Sequence, residues 1–296
     1  MTARQKPSLS NWPRRPSTEV AHRRQGRRVL QWMLLSIALA TPALFWVGCG
    51  TAPVTGRRQL LITPESQEIA MGVSAYQEVL KQEPLSQDSK FVELVDRVGD
   101  RIARVANRPD YEWEFRVIAK EAQNAFALPG GKVAIYEGIL PVCANESGLA
   151  VVISHEVAHA LARHGGERTS QAAVAKGFQL ILDRTVQGRE EYNQRLILGA
   201  YGAASQYGVL LPFSRKHELE ADSIGIELMA KAGYDPREAV RFWDRFARLK
   251  QGEAGPEFLS THPDDERRRD NLQRLLTPAL RAYELAPARY GLGDSI

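Results

Sequence analysis

The chain has little cysteine. Of its 296 residues only Cys49 and Cys143 carry a thiol, which rules out a disulfide scaffold; acylation of Cys49 would leave Cys143 without any partner. Cys143 lies among Leu140, Pro141, Val142 and Ala144, the setting of a buried structural thiol with no chemistry of its own. No long apolar run follows residue 48, so a bundle of membrane-spanning helices is not expected there. Self-similarity at a solenoid period is also lacking. Positive charge is scarce outside the start of the chain. Residues 1–48 hold eight Lys/Arg and one acid, Glu19, whereas the rest holds 31 bases against 34 acids. A mildly acidic body offers no electrostatic footprint for nucleic acid.

What is present begins with a leader. The basic stretch ending at Arg27-Arg28 runs into Val29-Leu30-Gln31-Trp32-Met33-Leu34-Leu35, and apolar residues continue to Gly48. Positive charge, an apolar core and then small residues form a secretory signal. An uncleaved membrane helix over 29–48 is the alternative, since about twenty residues span a bilayer. Pro42 and Val47-Gly48-Cys49-Gly50 favour processing, and the small residue before cysteine resembles a bacterial lipoprotein signal with Cys49 as the lipidated terminus. The expected organisation is therefore a signal sequence over 1–48, a tether over 49–62, one domain over 63–281 and a tail over 282–296.

Within that domain, Thr63-Pro64-Glu65 reads as a helix start with threonine as the cap. Ile69, Val73, Tyr76 and Leu80 keep one apolar face, and Phe91, Val95, Val98, Ile102 and Val105 predict a second amphipathic helix. From Tyr111 to Ala119 apolar and polar residues alternate, which predicts a half-buried strand. Asn124–Leu128 and Lys132–Tyr136 flank Pro129-Gly130-Gly131 and predict a hairpin. From Asn145 onward the pattern is helical, with Ser214 and Asp235 as expected caps. A small sheet among helices makes an α+β domain, mostly helical.

Chemistry enters at His155-Glu156-Val157-Ala158-His159. Two imidazoles four residues apart in a helix lie about 40° apart around its axis, so both can face one ion. The glutamate between them falls where a carboxylate can take a proton from a metal-bound water. Zinc is the default ion for such donors, and a catalytic zinc takes three protein ligands. Glu218-Leu219-Glu220-Ala221-Asp222 offers the third: Glu218 and Asp222 share a helix face, one able to bind the ion and the other to orient a ligand imidazole. His164, about 140° from His159 on a continuing helix, and His217, about 100° from Glu218, should not reach the same ion and read as structural.

These motifs resemble the HtpX-like and CAAX-prenyl-protease family of zinc metallopeptidases, which pair a helix-borne His-Glu-x-x-His with a downstream Glu-x-x-Ala-Asp. Asn124–Gly131, Ala160–His164 and Leu211–Arg215 are similar to its periplasmic lipoprotein branch, and the likeness spans roughly residues 60–280. The resemblance implies a zincin-type (gluzincin) fold and one Zn2+ per chain. It further implies His155, His159 and Glu218 as ligands, Glu156 as general base and Asp222 as a supporting partner. His262, in Ser260-Thr261-His262-Pro263, matches a loop that in some relatives places a removable fourth ligand over the ion.

The expected activity is that of a metalloendopeptidase acting on misfolded or misassembled envelope proteins. It would be lipid-anchored on the periplasmic side of a bacterial envelope, at the outer membrane. The hairpin strand Lys132–Tyr136 is expected to be a sheet edge that pairs with extended substrate. An oxyanion donor is not identifiable beyond Arg215 and Tyr136 as guesses. The alternative is a chaperone-like or binding lipoprotein with a latent or structural zinc site, which a fourth protein ligand would favour. Native substrate, cleavage preference and oligomeric state leave no signature.

Overall fold

The computed structural model describes residues 49–52, 54–186, 211–249, 262 and 266–296. The expected signal sequence lies outside them. Residues 50–296 form one compact unit. Among the described residues no helix is long and apolar enough to cross a membrane.

Two short strands, β1 (Cys49–Thr51) and β2 (Arg58–Leu60), form a ribbon ahead of α1 (Glu65–Gln82) and α2 (Ser89–Val105). The residue capping α1 is Pro64 and no side chain caps it; the Thr63 carbonyl instead accepts a bond from Arg163. Val95, Val98 and Ile102 give α2 a fully buried face, as its spacing requires.

β3 (Glu114–Ile118), β4 (Ala125–Leu128) and β5 (Lys132–Tyr136) form a three-stranded sheet. β4 and β5 are the expected antiparallel hairpin, turning through Gly130 and Gly131 at φ +90° and +85°, angles that a side chain would strain. The strand order β3-β5-β4 puts β5 in the middle, parallel to β3. The edge role expected of Lys132–Tyr136 therefore belongs to β4. β5 is central because both its faces are apolar, with Val133, Ala134 and Ile135 all fully buried, a pattern suited to a covered strand.

A short helix, α3 (Leu140–Cys143), leads into α4 (Glu146–Leu161), every residue of which is buried except His159. Asn145 caps α4 by accepting the Gly148 N–H at 2.9 Å. α4 runs through the core with α6 (Leu211–Lys231) alongside, α2 and α7 (Arg237–Leu249) on its flanks and β4 across it. A Cβ on Gly225 of α6 would lie 3.1 Å from the His155 backbone nitrogen. Glycine there lets the two helices approach closely enough for their polar faces to meet. Ser214 is inside α6 rather than capping it, because Pro212 in the first turn lets the helix begin at Leu211. Asp235 does serve at the start of α7, accepting the Arg237 N–H at 3.0 Å.

α5 (His164–Val186) leaves α4 at a sharp turn and α8 (Glu266–Glu284) packs on α6 and α7. The last residues return to the start of α4: the Glu146 N–H bonds the Asp294 carbonyl and the Ile296 N–H the Ala144 carbonyl. The whole is mostly helical around a small sheet, the expected α+β architecture, with α4 as its central helix.

Candidate metal centre and adjoining cleft

Four side chains from three parts of the fold converge on one point. α4 supplies His155 and His159, α6 supplies Glu218, and His262 precedes α8. His155 Nε2 lies 3.1 Å from His159 Nε2 and 3.2 Å from Glu218 Oε2, and His159 Nε2 lies 3.4 Å from Glu218 Oε1. His262 Nδ1 is 3.3 Å from His155 Nε2 and 3.1 Å from Glu218 Oε2. A tetrahedral zinc with bonds near 2.05 Å has donors about 3.4 Å apart. The observed separations are edges of such a tetrahedron, and the donors are the imidazole and carboxylate groups zinc takes. The residues fit the ion.

The group is held from behind. Asp222 Oδ1 meets His155 Nδ1 at 3.1 Å. Arg268, on α8 and almost wholly buried, donates to both Asp222 oxygens at 2.7 Å and reaches Glu218 Oε2 at 3.1 Å. Its guanidinium lies 3.9 Å from the centre of the Trp243 ring. This arginine escaped sequence reasoning because Glu266-Arg267-Arg268-Arg269-Asp270 reads as the solvated face of a helix. No short motif links it to Asp222.

Charge states follow from the packing. Burial opposes ionisation of Glu218, but His159, His155 and His262 outweigh it and hold the carboxyl well below the usual range. Burial also disfavours charge on His155, yet its bonds to Asp222 and Glu218 raise it to about 9. His159 has no carboxylate on its far nitrogen, and burial pushes it well down. Glu156 behaves differently. Burial raises its pKa against the opposing pull of His262, His155 and the Ala127 backbone N–H. A carboxylate raised in this way is a better proton acceptor. Its Oε1 lies 3.3 Å from His262 Nε2 without forming a hydrogen bond.

Glu156, His159 and His262 face a cleft of about 360 Å³, walled by β4 and Pro129 on one side and by Arg163, His164 and Arg168 on the other. The Tyr136 N–H bonds the Asn124 carbonyl and Ala125 pairs with Ile135. By the alternation of an antiparallel ladder, the backbone groups of Ala125 and Ala127 then point away from β5 toward this cleft. Arg215 and Tyr136, the guessed oxyanion donors, do not line it.

His164 and His217 stand outside the donor group but not apart from it. α4 ends at Leu161 and Arg163 takes φ +56°, so the helical angle that sets His164 aside does not apply. The chain turns, and His164 Nδ1 comes to 2.9 Å from His159 Nδ1. His164 stacks on His217 at 4.3 Å. His164 Nε2 meets Glu220 Oε2 and His217 Nε2 meets Glu167 Oε2, both at 3.1 Å. Burial and the neighbouring His217 push His164 down, opposed by Glu220.

Similarity agrees with this geometry. Residues 91–276 match the model of peptidase family M48. The mitochondrial metalloendopeptidase OMA1 of Schizosaccharomyces pombe is 33% identical over 254 residues, 84% of this chain and 73% of that protein. Its counterpart of the same name in Saccharomyces cerevisiae is 35% identical over 269 residues, 82% of this chain and 75% of that protein. A putative beta-barrel assembly-enhancing protease of Vibrio cholerae is 31% identical over 242 residues, 75% of this chain but 48% of that longer protein. With a donor group that fits zinc at the heart of the matched region, the chain belongs to peptidase family M48 and is a zinc-dependent metalloendopeptidase.

Proposed function

We propose that this enzyme cleaves unfolded or misassembled proteins of a bacterial cell envelope, with His155, His159 and Glu218 as zinc ligands and Glu156 as general base. The observation that carries the site assignment is the tetrahedral spacing of three donors beside a buried carboxylate of raised pKa. Zinc bound there supplies a Lewis acid for the scissile carbonyl and makes water more acidic. Glu156 takes the proton from the attacking water and returns it to the leaving amine. Asp222, steadied by Arg268, keeps His155 in the tautomer whose Nε2 lone pair faces the ion. Ala125 and Ala127 present outward C=O groups to an extended peptide, while their N–H groups already bond Asn124 Oδ1 and the Glu156 carboxylate. Recognition through the main chain asks little of substrate sequence, which suits a quality-control protease.

Location rests on the leader and on the likeness to a beta-barrel assembly-enhancing protease, whereas the OMA1 relatives are mitochondrial by name. The basic and apolar stretch before Val47-Gly48-Cys49 supports export and acylation at Cys49, giving a periplasmic enzyme tethered to the outer membrane. An inner-membrane anchor over 29–48 is the competing placement. Mass spectrometry of the mature N-terminus separates the two, since a diacylated Cys49 fits only the first.

The packing of His262 against Glu218 and His155 favours a second reading, a binding protein whose zinc is closed by a fourth protein ligand. The first reading has His262 leave to admit substrate. Zinc content and casein cleavage test the ligand assignment. His159→Ala and Glu218→Ala should lose both; either variant keeping stoichiometric zinc and wild-type cleavage refutes it.

A further inference from the structure

The two imidazoles assigned to zinc are backed in different ways. His155 rests on the Asp222 carboxylate, whereas His159 rests on another imidazole, that of His164. The tautomers along this second path are fixed by elimination. A ligand using its Nε2 lone pair carries its proton on Nδ1. His159 Nδ1–H must therefore donate to His164 Nδ1, 2.9 Å away. His164 then accepts at Nδ1 and holds its own proton on Nε2, which donates to Glu220 Oε2 at 3.1 Å.

Glu220 is held in turn by the segment between β1 and β2. Arg57 Nε donates to Glu220 Oε2 at 2.5 Å, and Thr55 Oγ1 donates to Glu220 Oε1. The remaining fork of Arg57 grips Glu167, at 2.6 Å and 3.2 Å. Glu167 carries His217, the ring stacked on His164. One guanidinium thus ties together two buried carboxylates, and each of those holds one ring of the stacked pair.

From this path we infer that Arg57 and His164 are positioning residues of the metal centre, acting through Glu220 to fix the tautomer and ring orientation of His159. The inference rests on the assignment of His159 as a ligand. It gives the segment just after Cys49 a task beyond connection, because it supplies the last link behind a zinc imidazole. Removing Arg57 leaves Glu220 held only by Thr55 and His164, which loosens His164 and with it the acceptor of His159 Nδ1–H. His159→His164 and His164→Glu220 are the two bonds that must survive for the ring to stay aimed.

The test reads metal binding rather than turnover. Zinc affinity is measured by competition with a chromophoric chelator, and ligand geometry by the visible bands of the cobalt-substituted protein. His164→Ala should weaken zinc binding about 10- to 100-fold, the range for outer partners of metal ligands. Arg57→Ala should weaken it at least about threefold, and both should shift the cobalt bands in the same sense. His164→Asn keeps an acceptor near the Nδ1 position and should recover most of the loss; Arg57→Lys, which keeps charge without the fork, should fall between wild type and Arg57→Ala. Arg101→Ala serves as the comparison, because Arg101 pairs with Glu146 and Tyr234 away from the centre; it should lower the melting temperature but leave affinity and bands unchanged. Wild-type affinity and bands in Arg57→Ala overturn the inference, and that variant decides alone should His164→Ala fail to fold. If His159→Ala binds zinc as tightly as wild type, the ligand assignment has failed and the relay falls with it.

Discussion

Replacing Arg268 by methionine isolates what holds the centre together. The side chain is almost wholly buried and binds Asp222 through both oxygens and Glu218 through one. Methionine can still cover the Trp243 ring that the guanidinium overlies at 3.9 Å, so the change is chiefly one of charge. It leaves two carboxylates, each 3% exposed, without their shared cation. Breaking a buried ion pair on one side costs about 3–5 kcal/mol. In a domain of this size each kcal/mol moves the melting temperature by about 2–4 °C. Metal-free Arg268→Met should therefore melt about 6–20 °C below metal-free wild type by calorimetry. Zinc restores a positive charge beside Glu218 but not against the outer oxygen of Asp222, so saturating zinc should close roughly half the gap. A metal-free variant melting within about 2 °C of wild type would refute the electrostatic role of Arg268, as would a gap that zinc leaves untouched.

Other outcomes follow from the same contacts. Glu167 and Glu220 are both held at about 2 against an ordinary 4.5: burial opposes this, but His217 with Arg57, and His164 with Thr55 and Arg57, outweigh it. Because their folded values are depressed, they stabilise the protein fully above about pH 4.5, and that stability disappears as pH falls toward 2. Thermal melts of metal-free protein at pH 5, 4 and 3 should show this slope, and Arg57→Ala should flatten it; an equal slope in both would count against the network. Ala127→Pro deletes the outward N–H that bonds the Glu156 carboxylate at the cleft edge, at a position where an edge strand tolerates proline. Zinc should remain while casein cleavage drops at least about tenfold, and undiminished cleavage would exclude a role for that N–H in holding the base. His262→Ala should retain zinc and cleave faster if His262 covers the ion; slower cleavage would show that it assists instead.

How much of this was legible in the sequence depends on the range of the interaction. His155, Glu156 and His159 are set by helical spacing alone, and Glu218 and Asp222 lie one turn apart, so both motifs could be read locally. Their meeting depends on Gly225 allowing α6 close to α4, which no local pattern announces. The hairpin was readable from Pro129-Gly130-Gly131, but which of its strands is the edge was not. That choice is made by the parallel pairing of β5 with β3 across intervening residues. His164 was set aside on the assumption of an unbroken helix, and the turn at Arg163 removes that premise. Arg57 and Arg268 stand far in sequence from the carboxylates they bind; each looks like an ordinary surface cation until the fold brings it in. The expected caps at Thr63 and Ser214 failed because proline follows or precedes closely enough to move the helix start.

The central claim is that Glu156 performs the proton transfer beside a zinc held by His155, His159 and Glu218. Its most direct test is zinc content and casein cleavage of Glu156→Gln, which keeps the size of the side chain and removes its basicity. The claim requires one zinc per chain, bound as tightly as in wild type, with cleavage lost by at least about a hundredfold. Zinc-replete Glu156→Gln that cleaves at the wild-type rate would contradict it.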